Sequence, residues 1–278
     1  MDKQLDLPNL LRSRLTMVAT LAAMKAGELL KRAFGTHPEF TTKEGRHNLV
    51  TEWDNKAESL IIDFIKTHFP EHRFLAEESG ESGEVREGIQ WIIDPLDGTV
   101  NFVHSIPMFS VSIAAAVQNE ILAGAIYNPM VEELFIAEKN NGAYLNGTRL
   151  KVTETAVLDS AICATGFPYN VHENPLCCID HFNTFAKMGI PLRRIGSAAL
   201  DLAYVAAGRY DGFWEVSLRP WDYAAGKLIV EEAGGTFTNF AGEPYKTFEE
   251  GPIVASNGIL HDQILKNIKA TLEKSNKE

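Results

Sequence analysis

The stretch that most constrains this chain is WIIDPLDGTVNF, residues 91–102, in which a strongly apolar run is followed by two carboxylates. The apolar residues 91–93 predict a buried strand, and Asp94 and Asp97 follow at its end. Asp, Pro and Gly are also ordinary turn residues, so a plain surface turn is the alternative interpretation. A buried strand, however, delivers both acids to an interior edge, where like charges repel unless a proton or a cation is present.

Acidic residues also stand at the boundaries of other predicted elements. Glu77 follows the apolar segment at residues 74–76, and Asp54 and Asp222 stand where two helices are predicted to begin. Taken singly, Asp54 and Asp222 are explained as helix N-caps. Taken with the two carboxylates after the strand, they form a set of hard oxygen ligands without histidine, which favours Mg²⁺ over zinc. Two such ions can activate a water and stabilise the leaving oxygen of a phosphate ester.

Other phosphate-processing chemistries do not fit the spacing of the residues. None of the three cysteines, at positions 163, 177 and 178, begins the Cys-x5-Arg string of thiol phosphatases. Aspartyl-phosphate enzymes use Asp-x-Asp, whereas here the acids are three apart and Thr99 stands two beyond Asp97. No phosphate-binding loop of the G-x-x-x-x-G-K-[ST] kind occurs. If Gly98 and Thr99 open a helix, their amides are placed to hold phosphate oxygens.

Length and composition indicate an ordinary globular protein of one large or two smaller domains, with 278 residues. A formal net charge of -11 argues against a nucleic-acid partner, because phosphate neutralisation needs a basic face. Charges begin at the second residue and no run of ~20 apolar residues occurs, so neither a signal peptide nor a membrane partner is predicted. Three cysteines without a C-x-x-C pair fit a reduced compartment, and we expect a cytoplasmic location.

Helical and strand patterns divide the chain into two halves. Apolar residues at helical spacing predict helices between Leu11 and Gly35 and over residues 54–69. Strands dominate residues 109–152, where two Asn-Gly pairs indicate hairpins, and the second half alternates strands with helices. We therefore expect a layered α+β fold. An N-terminal α+β sub-domain over residues 1–150 would carry most candidate metal ligands, and a C-terminal α/β sub-domain over residues 151–278 would complete the site.

Two long motifs now allow a family to be named. WIIDPLDGTVNF resembles the first signature of the inositol monophosphatase family, D-P-x-D-G-T-x-N-F, and WDYAAGKLIVEEAGG, residues 221–235, resembles its second, W-D-x-A-A-G followed by E-A-G-G. Between and before them stand Lys43, the segment NLVTEWD, Glu77 and the segment RIGSAALDLAYVAAG, so the resemblance covers about residues 40–260. The family consists of Mg²⁺-dependent, lithium-sensitive phosphatases, and the fold it implies is a layered αβαβα sandwich of the sugar-phosphatase type, usually as a homodimer.

The resemblance implies a metal centre of two to three Mg²⁺ ions. Glu77, Asp94 and the Leu96 carbonyl would bind the first ion. Asp94, Asp97 and Asp222 would bind the second, with Asp94 bridging the two. A third, weaker ion would be held by Glu77 and waters.

The resemblance also implies catalytic and substrate-binding roles. The catalytic residues would be Asp54, Thr99 and Glu77, with Asp54 and Thr99 orienting and deprotonating the attacking water. The substrate would be contacted by a wider set of residues, namely Asp97, Gly98, Thr99, Ala198, Glu215 and Asp222. The implied reaction is hydrolysis of myo-inositol monophosphate without a covalent intermediate. The alternatives are fructose 1,6-bisphosphate, histidinol phosphate, NADP or a 3′-phosphoadenosine nucleotide, or a regulatory binding protein on the same fold.

The chain departs from the family pattern at a few positions. Asn48 stands where many members have Asp, and Trp53 precedes Asp54 where smaller residues are commoner. We expect the chemistry to survive, because neither residue is a metal ligand. The loop Lys43–Leu49 is expected to close over the third ion and to change its affinity. Residues 166–181 show no pattern that predicts their structure.

Overall fold

The computed structural model describes residues 9–36, 38–42, 49–83 and 88–275. The helices of this part of the chain are α1 Asn9–Ala33, α2 Glu52–His68, α3 Thr99–Val103, α4 Cys178–Lys187, α5 Ala198–Ala206, α6 Pro220–Glu232 and α7 His261–Ser275. Its strands are β1 Phe40–Thr42, β2 Leu49–Thr51, β3 Arg73–Ala76, β4 Gly80–Ser82, β5 Ile89–Asp97, β6 Ser110–Val117, β7 Glu120–Asn128, β8 Glu133–Glu138, β9 Gly142–Leu145, β10 Thr148–Arg149, β11 Cys163–Thr165, β12 Leu192–Arg193, β13 Gly212–Leu218, β14 Thr236–Thr238 and β15 Gly251–Ser256. The two N-terminal helices predicted from periodicity are confirmed.

The larger sheet has eight strands in the order β10-β9-β8-β7-β6-β5-β3-β4. Its neighbours pair antiparallel except for β3 and β5, which run parallel. The second Asn-Gly pair forms the hairpin between β9 and β10, and both of its residues, Asn146 and Gly147, have positive φ (48° and 80°). This backbone is the one that a two-residue hairpin turn requires, and the predicted hairpin is confirmed.

The smaller sheet has five strands in the order β12-β11-β13-β15-β14. Strand β11 lies parallel to both of its neighbours, and the remaining pairs are antiparallel. Because β11 and β13 run parallel and Thr165 pairs with Trp214, the residues that follow β11 emerge beside Glu215, midway along β13.

Five layers are stacked around three apolar cores. Helices α1 and α2 bury their apolar faces on one side of the eight-stranded sheet. Helices α5 and α6 fill the space between the two sheets, and α4 and α7 cover the outer face of the five-stranded sheet. This order confirms the αβαβα sandwich. None of the helices in the described residues combines the length and apolar character that a membrane span needs.

The strands of the larger sheet precede residue 150 in the sequence and those of the smaller sheet follow it, but elements of the two halves pack against each other. Helix α6 belongs to the second half and packs on the first sheet so closely that a Cβ added at Gly124 would meet Ala225 Cα at 3.1 Å. Ser112 of β6 also donates a hydrogen bond to the Trp221 carbonyl (3.3 Å). The division into sub-domains at residue 150 stays a prediction.

Candidate active site

The acids of the first motif lie where β5 leaves regular pairing. The strand is buried along its length as far as Leu96, and its register with β6 runs regularly to Asp94 and then shifts before Asp97. Pro95 lies within the shift, and a proline cannot donate a ladder hydrogen bond. Asp94 is 2% exposed and accepts a hydrogen bond from the Leu96 amide (3.0 Å). The sequence therefore places a buried carboxylate at a β-bulge, and the interpretation as a plain surface turn does not describe Asp94.

Gly98 connects the bulge to a short helix through a crowded backbone. Its φ of 95° lies in the left-handed region, and an added Cβ would lie 3.0 Å from the Met108 carbonyl oxygen and 3.3 Å from that of Gly196. Helix α3 begins at the next residue, Thr99, so the amides of Gly98 and Thr99 stand at a helix start, as the sequence predicted. Only glycine fits this position without moving the neighbouring backbone.

Asp97 joins the end of β5 to the start of α5. Its Oδ2 atom accepts hydrogen bonds from Ser197 Oγ (2.5 Å) and the Ala199 amide (2.8 Å). Burial raises the pKa of Asp97 to about 6, while the donors at Ser197, Ala199 and Ala198 act in the opposite direction. The contact places Ala198, a predicted substrate residue, at the first turn of α5 beside the acid.

Asp54 and Thr99 are in direct contact although 45 positions separate them in the sequence. Thr99 Oγ1 lies 3.1 Å from Asp54 Oδ1 and 3.0 Å from the Leu96 carbonyl oxygen, and it can donate to either. The other oxygen, Asp54 Oδ2, accepts from the amide (2.8 Å) and hydroxyl (2.6 Å) of Thr51. Burial raises the pKa of Asp54, against the lowering effect of these hydrogen bonds.

The N-cap interpretation of Asp54 needs a correction. Helix α2 begins at Glu52 with Thr51 as its N-cap, and Asp54 is the third residue, reaching back to the Thr51 amide in a capping box. Asp54 thus stabilises the helix start and contacts Thr99 with its second oxygen. The loop predicted at Lys43–Leu49, including Asn48, lies outside the described residues except for Leu49.

Glu77 lies in a loop that is held by hydrogen bonds to another, buried glutamate, Glu58. The Glu77 amide donates to the Ile93 carbonyl (3.1 Å), which places Glu77 beside the end of β5. Glu58 on α2, 4% exposed, accepts hydrogen bonds from the amides of Glu78 (2.8 Å) and Ser79 (2.9 Å). Sequence reasoning missed Glu58. Its position four residues after Asp54, on the same helix face, is the signal that could have found it.

Asp222 occupies in α6 the position that Asp54 has in α2. It is the third helical residue and its Oδ2 atom accepts from the Arg219 amide (2.7 Å), so it supports the helix start without being the N-cap itself. Burial raises the pKa of Asp222 well above its ordinary value, and the negative charges of Glu77 and Asp97 add to the increase.

These acids converge on one electrostatic centre. Burial raises the pKa of Asp94 well above its ordinary value, and the side chains that add most to this increase are three acids, Glu77, Asp97 and Asp222. Like charges brought together in this way favour either bound protons or a bound cation. In the described part of the chain no group of three acidic, histidine or cysteine side chains is arranged closely enough to hold an ion. The all-oxygen donor set fits Mg²⁺.

Glu215 lies next to this centre with two neighbours that sequence reasoning missed. Burial raises the pKa of Glu215 to about 8, the Arg194 guanidinium acts to lower it, and Asp97 raises it further. Asp201 on α5 is 1% exposed, and burial together with the charge of Glu215 raises its pKa. Both neighbours lie in the segment RIGSAALDLAYVAAG, but nothing in its spacing indicates that they meet Glu215.

The raised pKa values predict how the metal-free protein responds to pH. In the folded protein Asp97 and Glu215 hold their protons up to about pH 6 and 8, whereas in the unfolded chain they release them near their ordinary values of 3.8 and 4.5. Because the folded state then binds more protons, the free energy of unfolding falls as pH rises from about 4 to 8. We expect the Tm in EDTA to drop by several degrees between pH 5 and 8.

Two comparisons sharpen this prediction. Mg²⁺ should raise the Tm more at pH 8 than at pH 5, because ions and protons compete for the same carboxylates, and NaCl of equal ionic strength is the control. Glu215→Gln should flatten the pH dependence measured in EDTA. A variant with the same slope as the unmodified protein, or a Tm that rises with pH, would contradict the assigned buried charges.

Comparisons with known proteins agree with the motifs. A model of the inositol monophosphatase family matches residues 11–273. The Nus factor SuhB of Escherichia coli strain K12 is 43% identical over 256 residues, which is 92% of this chain and 96% of that protein. The inositol-1-monophosphatase of Mesorhizobium japonicum is 42% identical over 94% of this chain and 98% of its own length. The crystal structure of the extragenic suppressor protein suhB from Bartonella henselae has a TM-score of 0.85 at 41% identity, over 92% of this chain and 98% of that one. These matches support a phosphatase, and the chain belongs to the inositol monophosphatase family.

Proposed function

We propose that this protein is a Mg²⁺-dependent phosphomonoesterase that hydrolyses myo-inositol monophosphate to inositol and phosphate. The observation that carries the proposal is the contact of Thr99 with Asp54 at the edge of a centre where Asp94 is surrounded by acids. A buried carboxylate that shares a hydrogen bond with a hydroxyl is a suitable acceptor for a water proton. Family membership supports the phosphatase chemistry, and the identity of the alcohol is our inference.

The residues that would hold the ions are those at the converging acids. Glu77, Asp94 and the Leu96 carbonyl would hold one, and Asp94, Asp97 and Asp222 a second, with Glu77 reaching a weaker third. Bound Mg²⁺ would neutralise the clustered carboxylates and the substrate phosphate and would acidify water. The protein keeps Asp94 and Leu96 buried as the floor of the site and leaves Asp97, Gly98 and Thr99 partly open to solvent.

The chain's own groups then position the reactants. The amides of Gly98 and Thr99 bind phosphate oxygens at the start of α3. Thr99 Oγ1 accepts a hydrogen bond from the attacking water and donates its own proton toward Asp54, so that Asp54 takes up the proton as water attacks phosphorus. The bond from phosphorus to the alcohol oxygen breaks in the same displacement, and that oxygen is protonated by solvent. Positioning and charge neutralisation supply most of the catalysis in phosphoryl transfer.

The alcohol side of the site favours a substrate with several hydroxyl groups. Glu215, Asp97 and Asp222 present carboxylate oxygens, and Ala198 lies at the first turn of α5. A polyol can donate hydrogen bonds to such acceptors, and a site built for them rejects an alcohol that lacks the hydroxyls. This supports a polyol ester such as inositol monophosphate over histidinol phosphate, which has no free hydroxyl group.

Phosphate release is the direct test. Purified protein should hydrolyse myo-inositol 1-phosphate with Mg²⁺, should lose activity in EDTA and should regain it on addition of Mg²⁺. The same assay on fructose 1,6-bisphosphate, histidinol phosphate, NADP and 3′-phosphoadenosine nucleotides ranks the alternatives by kcat/KM. Activity indifferent to EDTA would overturn the metal chemistry, and a higher kcat/KM for another ester would replace the substrate.

The name of one group of relatives supports a second candidate function. Several proteins of 40–43% identity are named Nus factor SuhB, a name that denotes a factor rather than a hydrolase. A binding role on the same fold can coexist with catalysis.

Four further properties are also proposals: the absence of a nucleic-acid partner, the cytoplasmic location, the homodimer and the lithium sensitivity. An ultracentrifugation run, with and without RNA, tests the first and third of them.

A further inference from the structure

Tyr169 lies in the segment whose structure the sequence did not predict, and its two neighbours fix where it stands. Phe167 and Val171 turn inward and pack against the outer apolar core, with the Phe167 ring 5.8 Å from that of Phe182. Tyr169 lies between these two anchors and is 55% exposed. A large aromatic side chain held on the surface between buried neighbours is placed for a contact outside the core.

The segment begins directly over the proposed substrate carboxylate. Thr165 pairs in parallel register with Trp214, the residue before Glu215, and its hydroxyl donates to the Trp214 carbonyl (2.8 Å). The next residue, Gly166, lies so close to Glu215 that an added Cβ would be 1.9 Å from Oε2. Three positions separate this contact from Tyr169, a span of at most about 10 Å, so the turn that carries Tyr169 forms the rim beside Glu215.

The rest of the segment holds this rim in place. Asn174 accepts a hydrogen bond from the Ile179 amide at Oδ1 (2.9 Å) and donates from Nδ2 to Asp180 (2.7 Å). The Val171 amide donates to the Pro168 carbonyl (3.0 Å), which closes the turn that contains Tyr169. These bonds tie the turn to the start of α4 and give Tyr169 a defined position.

The charges of the acids at the metal centre also act on Tyr169. Partial burial raises the pKa of its phenol, and so do the negative charges of Glu77, Asp222, Asp97 and Asp94, in that order. These acids belong to both halves of the chain. The phenol remains protonated and able to donate, and within the described residues its hydroxyl donates to no protein group.

We propose that Tyr169 is a substrate-contacting, specificity-determining residue that covers the alcohol part of the bound phosphate ester at the rim beside Glu215. The inference rests on the proposed function. The ring packs on the C–H face of a cyclic polyol or sugar while its hydroxyl donates to a substrate oxygen, and Glu215 accepts from the substrate's hydroxyls. Short acyclic esters, which cannot reach the rim, gain little from this contact. The residue therefore favours ring-shaped polyol phosphates.

The test compares Tyr169→Ala and Tyr169→Phe with a tyrosine elsewhere. Tyr144 on β9 donates to the Asn141 carbonyl (3.1 Å) in the hairpin region of the larger sheet, so Tyr144→Phe and Tyr144→Ala are the matched controls. KM and kcat are measured for myo-inositol 1-phosphate and for propyl phosphate, together with inhibition by inorganic phosphate. We expect Tyr169→Ala to raise the KM for inositol phosphate about tenfold more than that for propyl phosphate. Tyr169→Phe keeps the ring and removes the hydroxyl, so it measures the contribution of the hydroxyl alone.

Three outcomes decide the matter. An unchanged KM for inositol phosphate in Tyr169→Ala overturns the proposal. Equal weakening of both esters and of inorganic phosphate also overturns it, because Tyr169 would then act on the phosphate. If the unmodified protein hydrolyses neither ester, the proposed function fails, and calorimetric titration with inositol phosphate and inorganic phosphate in Mg²⁺ still decides the role of Tyr169. In that titration, equal affinities of the unmodified protein and Tyr169→Ala for inositol phosphate refute it.

Discussion

Asp94→Asn should lower kcat for phosphate release by about a thousandfold or more and should at the same time stabilise the metal-free protein. The turnover falls because Asp94 is the proposed bridge between two ions, and preorganised charge of this kind supplies much of the rate in phosphoryl transfer. The metal-free protein gains stability because burial, together with the charges of Glu77, Asp97 and Asp222, raises the pKa of Asp94, and an amide avoids this cost. Asparagine has nearly the same shape without the charge, and it can still accept from the Leu96 amide.

Two thermal measurements check the predicted stabilities and distinguish an acid that binds the metal from a buried acid that does not. The Tm in EDTA should rise in Asp94→Asn, and the increase in Tm that Mg²⁺ produces should nearly vanish. Asp201→Asn is the matched control, since it removes another buried acid of raised pKa that is not a proposed ligand. It should also raise the Tm in EDTA but should keep the response to Mg²⁺. An Asp94→Asn protein with normal turnover would show that hydrolysis does not use the acidic centre.

The parts of the site that lie close together in sequence were predictable, and those that meet across the fold were predictable only through the family motifs. Asp94 and Asp97 could be placed at the end of a buried strand because apolar residues precede them directly. The contacts of Asp97 with Ser197 and Ala199 join segments 100 and 102 positions apart. No local pattern records such a contact. It depends on how α5 packs between the two sheets.

Helix α4 was missed for an identifiable reason. It follows two residues with left-handed backbone, Leu176 (φ 45°) and Cys177 (φ 57°), and no Ser, Thr, Asp or Asn stands at its N-cap. The capping oxygen comes instead from Asn174, which accepts from the Ile179 amide. The sequence signals for a helix N-terminus look for a capping residue directly before the first helical residue. They therefore do not detect a cap that comes from several residues earlier in the chain.

Asp201 shows that a residue type by itself can suggest the wrong environment. An aspartate in a small-residue helix is normally on the solvent side, yet Asp201 is 1% exposed and its Oδ1 atom has no hydrogen-bond partner among the described residues. The charges of Glu215 and Arg194 act on Asp201, and only the folded structure brings these residues together. Buried acids of this kind are expected near functional sites, where local stability is given up for charge placement.

Asp54→Asn should lower kcat by about a thousandfold while leaving both the fold and the binding of Mg²⁺ intact. The loss follows because an amide cannot take the proton that the attacking water gives up, and general base catalysis contributes about 10²–10⁴-fold. The fold should persist because the Asn Oδ1 atom can replace the carboxylate oxygen that accepts from the Thr51 amide. Asp54→Ala, in contrast, should lose the capping contact as well, at a cost of about 1 kcal/mol.

The control for this prediction lies on the same helix turn. Glu52 is an exposed acid that pairs with Lys56 at 2.6 Å, so Glu52→Gln removes a charge two residues from Asp54 without touching Thr99. Steady-state kinetics should show full activity for Glu52→Gln and the large loss for Asp54→Asn, with the Mg²⁺-dependent increase in Tm retained in both. If Asp54→Asn keeps more than about a tenth of the activity, Asp54 is a capping residue alone. The proton would then have to pass from the water directly to solvent.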